Sequence, residues 1–151
     1  MLSNKRIAVV ILNYNGHELL KKFLPSVLKY SDKKLSRIYI IDNNSSDESV
    51  SFISKTYPDI EVIKNDKNYG YADGYNVGLK KIDTDYYVLL NNDVEVTENW
   101  LSPMFELLES DESFATCQPK IKYFKNKKLF DYAGGAGGYI DFLGYPFCRG
   151  R

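Results

Sequence analysis

Cysteine is scarce in this chain, histidine scarcer still, and long apolar runs are absent. The two cysteines, Cys117 and Cys148, stand far apart and not at metal-ligand spacing. That excludes a disulfide scaffold or a zinc ribbon and fits a reducing cytosol. The single histidine, His17, is the one residue on which a Ser-His-Asp triad could be built, and no serine sits in a G-x-S-x-G elbow. The longest apolar run, Ile7 to Leu12, is too short to span a bilayer or to form a signal-peptide core, so the chain reads as soluble and cytoplasmic. An excess of charge is lacking too, since 20 Lys+Arg balance 20 Asp+Glu. A dedicated nucleic-acid binder carries a clear basic excess, so no nucleic-acid partner is expected. What remains is an ordinary globular composition, 44% hydrophobic and 26% charged over 151 residues. That length gives one domain with a real core, and that composition excludes intrinsic disorder.

The pattern along the chain alternates. Ile7 to Leu12 is continuously apolar and β-branched, as a strand covered on both faces is, and it stops at Asn13-Tyr14-Asn15-Gly16. Leu19, Leu20, Phe23, Leu24, Val27 and Leu28 then recur at helical spacing, with Pro25 expected to kink that helix or delay its start. A second strand, Arg37 to Ile41, ends at Asp42-Asn43-Asn44, and Ser45 with Glu48 predicts a capping box for a helix carrying Val50, Ile53 and Tyr57. A short strand, Ile60 to Ile63, leads to a third helix with Tyr71, Tyr75, Gly78, Leu79 and Ile82 on one face. The fourth strand, Tyr86 to Leu90, is apolar throughout and ends at Asn91-Asn92-Asp93, before a helix with Trp100, Leu101, Met104, Phe105 and Leu108. Such alternation predicts an α/β fold, a mostly parallel sheet with helices on both faces. After Cys117 the regularity fails, through a lysine-rich stretch (120–128) and the glycine-rich run 133–138. The aromatic end, 144–151, reads as a chain that stops in mid-domain.

Ligands of open parallel sheets bind beyond the carboxyl ends of the strands. Three of the four strand ends here carry polar clusters. Each alone is equally a set of turn formers and helix caps; the three together point to a site. There is no P-loop, no G-x-G-x-x-G, and no Asp after the first strand for an aspartyl-phosphate. Gly70, Gly74 and Gly78 are spaced by four, which suits either close helix packing or approach of a ligand to the backbone.

Taken in order, Asn13-Tyr14-Asn15, the run from Asp42 to Asp47, the run from Asn68 to Gly78, and the run from Leu89 to Val96 resemble family 2 glycosyltransferases across essentially the whole chain. The resemblance implies a GT-A (Rossmann-like) fold, with residues 1–151 forming its nucleotide-sugar-binding part. It implies that Asp42, with Asn43, accepts hydrogen bonds from base or ribose, that Asn13 stands beside them, and that Tyr14 lies against the base. Asp73, Gly74 and Asn76 fall near donor sugar and phosphates, at a helix start that suits an anion. The family's Asp-x-Asp metal motif reads Asn91-Asn92-Asp93 here. Asp93 matches the metal carboxylate, and Asn91 and Asn92 match acids that touch ribose. One carboxylate with phosphates and waters is enough for magnesium or manganese, with the diphosphate needed for tight binding.

Family members are inverting enzymes with a carboxylate general base, expected here beyond residue 151, because Asp131 and Asp141 do not match its motif. The implied reaction moves a sugar from a nucleoside-diphosphate sugar to a saccharide or lipid-linked acceptor in polysaccharide assembly. Two other readings stand beside it. One is a nucleotide- and metal-binding module without transfer activity. The other is a sugar-phosphate nucleotidyltransferase, for which the basic glycine-rich loop after the first strand is missing. The lysines at 120–128 suit an anionic acceptor, peripheral association with the inner face of a membrane, or simply a solvated loop. Exposed aromatic residues on a truncated sheet would favour pairing with a second copy.

Overall fold

The computed structural model of the chain describes residues 6–131 and 135–149, so 133–134 of the glycine-rich run and the last two residues lie outside it. Two compact units divide it, residues 1–99 and 100–151.

The first unit is a four-stranded, all-parallel sheet in the order β3-β2-β1-β4. Its elements run β1 (Ile7–Asn13), α1 (His17–Tyr30), β2 (Ser36–Asp42), α2 (Ser49–Thr56), β3 (Glu61–Lys64), α3 (Gly70–Leu79) and β4 (Tyr86–Asn91). The continuously apolar run lies in β1, one of the two inner strands, in register with β2 from Ile7↔Ser36 and with β4 from Ile7↔Tyr86. Ala8 and Val10 face the α3 side, in a core with Tyr39, Ile41, Ile63, Tyr75 and Ile82. Alternation sends Ile7, Val9 and Ile11 to the other face, which is left for α1 and α2 with their buried Leu20, Phe23, Leu24, Val27 and Ile53. Each such side chain contributes about 1.5–3 kcal/mol by leaving water. The α/β reading with helices on both faces therefore holds.

Several local readings need correction. Pro25 does not delay the start of α1, which begins at His17 and includes it, with the ring exposed. The Ser45–Glu48 capping box does not form: Glu48 is the N-cap of α2 and makes no side-chain cap bond, while Asp47 Oδ1 accepts from the Ser49 N–H at 3.0 Å. Tyr57 and Ile82 lie just past their helices. Tyr71 is 63% exposed rather than in the core. Strand β4 is an edge strand, so Tyr87 and Leu89 stay exposed where a strand covered on both faces was expected.

In the second unit, α4 (Ser102–Ser110) begins after Trp100 and Leu101, with Leu101 buried. The lysine-rich stretch makes a narrow excursion closed by an isolated bridge, Lys122↔Phe130, and all its lysines are exposed. Then come β5 (Gly138–Ile140) and β6 (Pro146–Cys148), an antiparallel hairpin. Tyr139 stacks on Phe147 at 5.4 Å, and Arg149 lies over the Tyr139 ring. Both cysteines are free thiols. Among the described residues no helix is long and apolar enough to cross a membrane.

Candidate functional site

Parallel strands put all their carboxyl ends on one edge, and there three of the polar clusters meet. Asn92 Nδ2 donates to Asn13 Oδ1 at 3.0 Å, and Asn13 Nδ2 donates to Ser45 Oγ at 3.3 Å. The Ser45 backbone N–H donates to Asp42 Oδ2 at 3.1 Å. A chain of hydrogen bonds thus joins the ends of β4, β1 and β2. Gly16 makes room for it, because a methyl group there would overlap both Asn13 Oδ1 and Asn92 Nδ2. Asn15, with φ of 50°, turns the chain out of β1 and accepts the Ser46 N–H on its Oδ1 at 2.8 Å. Asp47 closes the same loop by accepting the His17 N–H at 3.0 Å. Burial works against its charge, but hydrogen bonds from Ser49 and His17 outweigh it and hold the carboxyl below its ordinary value.

Asp42 is the odd member of this rim. It is 3% exposed, and its Oδ1 is buried with no hydrogen-bond partner among the described residues. An acceptor left so costs about 1–3 kcal/mol, and a donor brought by a ligand would relieve it. Tyr14, 50% exposed, stands in the adjoining loop with its ring free to take a flat partner.

Asn43 faces the opposite side, as alternation along the strand requires. Its Nδ2 donates to Asn68 Oδ1 (2.8 Å) and to the Gly70 carbonyl (2.9 Å). Its Oδ1 accepts from Asn65 Nδ2 (3.0 Å) and the Tyr69 N–H (3.2 Å). A carboxamide has two donors and two acceptor sites, so this one is saturated by the protein. Asn43 thus fastens the loop before α3 to the end of β2, with Asn65 adding a bond to the Gly74 carbonyl at 3.2 Å. Gly74 is buried beneath this hub, where a Cβ would stand 3.0 Å from Asn43 Nδ2 and 3.1 Å from Leu12 Cδ1. A Cβ at Gly78 would overlap the Ile41 side chain. Close packing therefore accounts for those two glycines, whereas Gly70 has φ of 74° and open space around it. Asp73 and Asn76 are exposed on α3 and are not joined to the rim.

At the end of β4, Asn91 and Asp93 are exposed and Asn92 is half-buried. Tyr71 Oη donates to Asn91 Oδ1 at 3.0 Å. Beneath it the Tyr75 hydroxyl accepts the Leu12 N–H at 3.3 Å and donates to the Leu90 carbonyl at 3.1 Å, and burial pushes its pKa up. For a divalent cation the donors are sparse. No group of three or more His, Cys, Asp or Glu is close enough to hold a metal among the described residues. Asp93 could supply one carboxylate, which fits an ion whose remaining ligands are phosphate and water. Of the downstream carboxylates, Asp141 Oδ1 accepts the Leu143 and Tyr145 N–H groups, each at 2.9 Å, as a turn residue does.

Sequence reasoning missed Ser45 and Gly16 as rim residues, Asn65 as part of the hub, and Tyr71 as a partner of Asn91. Ser45 and Asn65 each carried a signal, a polar residue at a strand end, but nothing local says which neighbour such a residue meets.

A model of the family described as Glycosyl transferase family 2 matches residues 8–143. The teichoic acid poly(glycerol phosphate) polymerase of Staphylococcus epidermidis is 23% identical over 142 residues, covering 82% of this chain and 20% of the relative. S. aureus TarS 1-349, solved in complex with UDP-GlcNAc, superposes with a TM-score of 0.62 at 16% identity, over 78% of this chain and 38% of that one. The mannosyltransferase PcManGT from Pyrobaculum calidifontis, solved with GDP-Man and Mn2+, gives a TM-score of 0.62 at 17% identity, over 80% and 35%. The chain spans between 20% and 36% of the length of the curated relatives it matches.

Proposed function

The chain belongs to glycosyl transferase family 2, and from that premise we propose that its strand-end rim binds the nucleoside diphosphate of a sugar donor. In this reading it forms the donor-binding part of an enzyme. That enzyme moves the sugar, with a divalent metal and with inversion, to a saccharide or lipid-linked acceptor of a surface polymer. The observation that carries the reading is the unpartnered, buried Oδ1 of Asp42, in a rim that ties three strand ends together. The ligands named for the two solved neighbours, UDP-GlcNAc and GDP-Man with Mn2+, support a nucleoside diphosphate and a metal here.

Each residue then has its task. Asp42 accepts a hydrogen bond from base or ribose, and Tyr14 gives the base a face to stack on. Asn91 reaches the ribose, and Asn92 holds the rim closed through Asn13. Asn43, cast as a ligand residue from the sequence, instead sets the loop that carries Tyr69 and Gly70. Asp73, in the first turn of α3, and Asn76, further along the same helix, are exposed and face the donor's sugar and phosphates. Asp93 would hold magnesium or manganese together with the diphosphate, and the ion would supply charge neutralisation for the leaving group.

The alternative outcome is binding without transfer. A thermal-shift titration with UDP, dTDP, GDP and CMP, each with and without manganese, separates the possibilities. A manganese-dependent rise with one nucleoside diphosphate, lost in both Asp42→Ala and Asp93→Ala, is the expected result. At a hundredfold excess over Kd the stabilisation is about 2.7 kcal/mol. No rise with any of the four nucleotides would sink the donor-site reading. Sugar release from the matching donor then distinguishes an enzyme from a binding module.

A further inference from the structure

Two tyrosines one helical turn apart on α3 have opposite surroundings. Tyr75 is 3% exposed, with its hydroxyl set at the last rung between β1 and β4 through Leu12 N–H and the Leu90 carbonyl. Tyr71 is 63% exposed, yet it is not loose. Its ring stands edge-on to Tyr75 with centroids 5.3 Å apart and an interplanar angle of 77°, and its hydroxyl holds Asn91 Oδ1 at 3.0 Å. The pair carries the position of the buried strand junction out to the first residue of the Asn91-Asn92-Asp93 cluster. An exposed hydrogen bond of this kind adds little to folding, because water would serve either group as well. Its effect is on orientation. With Oδ1 taken by Tyr71, the carboxamide of Asn91 turns its Nδ2, which makes no hydrogen bond within the described residues, away from α3.

We propose that Tyr71 is a positioning residue for nucleotide recognition, holding Asn91 so that it donates an N–H to a ribose hydroxyl oxygen. This rests on the donor-site reading above, in which Asn91 meets the ribose. Recognition at this point then has a fixed polarity. Asn91 gives a hydrogen bond to the sugar where a carboxylate could only accept one, and Tyr71 determines which end of the amide is offered.

The test is a cycle between protein and ligand. Affinities for UDP and GDP, and for their 2′,3′-dideoxy forms, would be measured by titration calorimetry with manganese for the wild type, Tyr71→Phe, Asn91→Ala, the double variant and Asp42→Ala. For whichever ribonucleotide the wild type binds, Tyr71→Phe should weaken binding about five- to tenfold, the scale of one net hydrogen bond. The dideoxy form should be bound equally by the wild type and Tyr71→Phe, and the double variant should be no weaker than Asn91→Ala. The melting temperature of Tyr71→Phe should match the wild type. An equal loss on ribose and dideoxyribose ligands would reduce Tyr71 to a structural residue and overturn the proposal. So would no loss on either. If Asp42→Ala abolishes binding while Tyr71→Phe leaves it intact, the donor site stands and the proposal alone fails. If the wild type binds neither UDP nor GDP, the proposal fails; if it also binds neither dTDP nor CMP, the donor-site reading fails with it.

Discussion

The loops after β2 and β4 are built from the same letters, Asp42-Asn43-Asn44 and Asn91-Asn92-Asp93, and serve opposite ends. After β2 the first two residues, Asp42 and Asn43, are buried and the Asn43 amide is used up within the protein, by four hydrogen bonds from one side chain. After β4 the cluster is mostly exposed, with a single tie from Asn92 to Asn13 and another from Tyr71 to Asn91. Composition does not separate a fastening amide from a ligand amide. Counting where each donor and acceptor goes does, because a saturated carboxamide has nothing left to offer.

The comparison can be broken at its strongest point first. Asn43→Ala removes the hub and strands the polar groups of Asn65, Asn68 and Tyr69, so unfolding in urea should show a loss of about 3 kcal/mol. If stability instead holds and only nucleotide binding falls, Asn43 belongs with the ligand residues. Gly16→Ala comes next, since its new methyl pushes apart Asn13 and Asn92, the link between the two sides. A loss of about 2 kcal/mol is expected, together with weaker nucleotide binding.

Asp47→Asn tests the β2 loop more gently. Its carboxyl is held below the ordinary value, so its contribution is present above about pH 3.9 and disappears as pH falls through the depressed value. The stability gap between variant and wild type should therefore exist at neutral pH and close on the acid side. A gap that persists to pH 2 would mean the effect is not one of charge. Asp93→Ala should show the smallest change in folding, within about 0.5 kcal/mol by urea unfolding, as an exposed residue with no structural partner among the described residues does. The manganese-dependent part of nucleotide binding should nevertheless vanish with it.

Much of the fold was legible because it rests on periodicity. The unbroken apolar run of β1 announces a strand buried on both faces, and Leu20, Phe23, Leu24 and Val27 announce the inner face of α1. What was not legible depends on partners distant in sequence. Ser45 and Glu48 have the spacing of a capping box, but the Asn15 N–H reaches Ser45 Oγ at 2.9 Å and Asn13 Nδ2 shares it, so a tertiary bond replaces the local one. Tyr71 repeats with Tyr75 at helical spacing, yet its turn lies at the very start of α3 and meets Asn91 at an edge strand. The β5–β6 hairpin escaped notice because three-residue strands, with most side chains exposed, leave no alternation to read.

The strand order also sets a timetable. β1, β2 and β3 can pair as they follow one another, whereas β4 must return past all of them to reach the far side of β1. Asn92 and Asn13 lie 79 residues apart in sequence. Of the three pairings in the sheet, that of β1 with β4 joins the parts of the chain most distant in sequence. The rim is therefore expected to form last in the first unit, so that a chain caught before that moment should have a core and yet fail to bind nucleotide. Nucleotide present during refolding should leave the folding rate unchanged and slow unfolding alone.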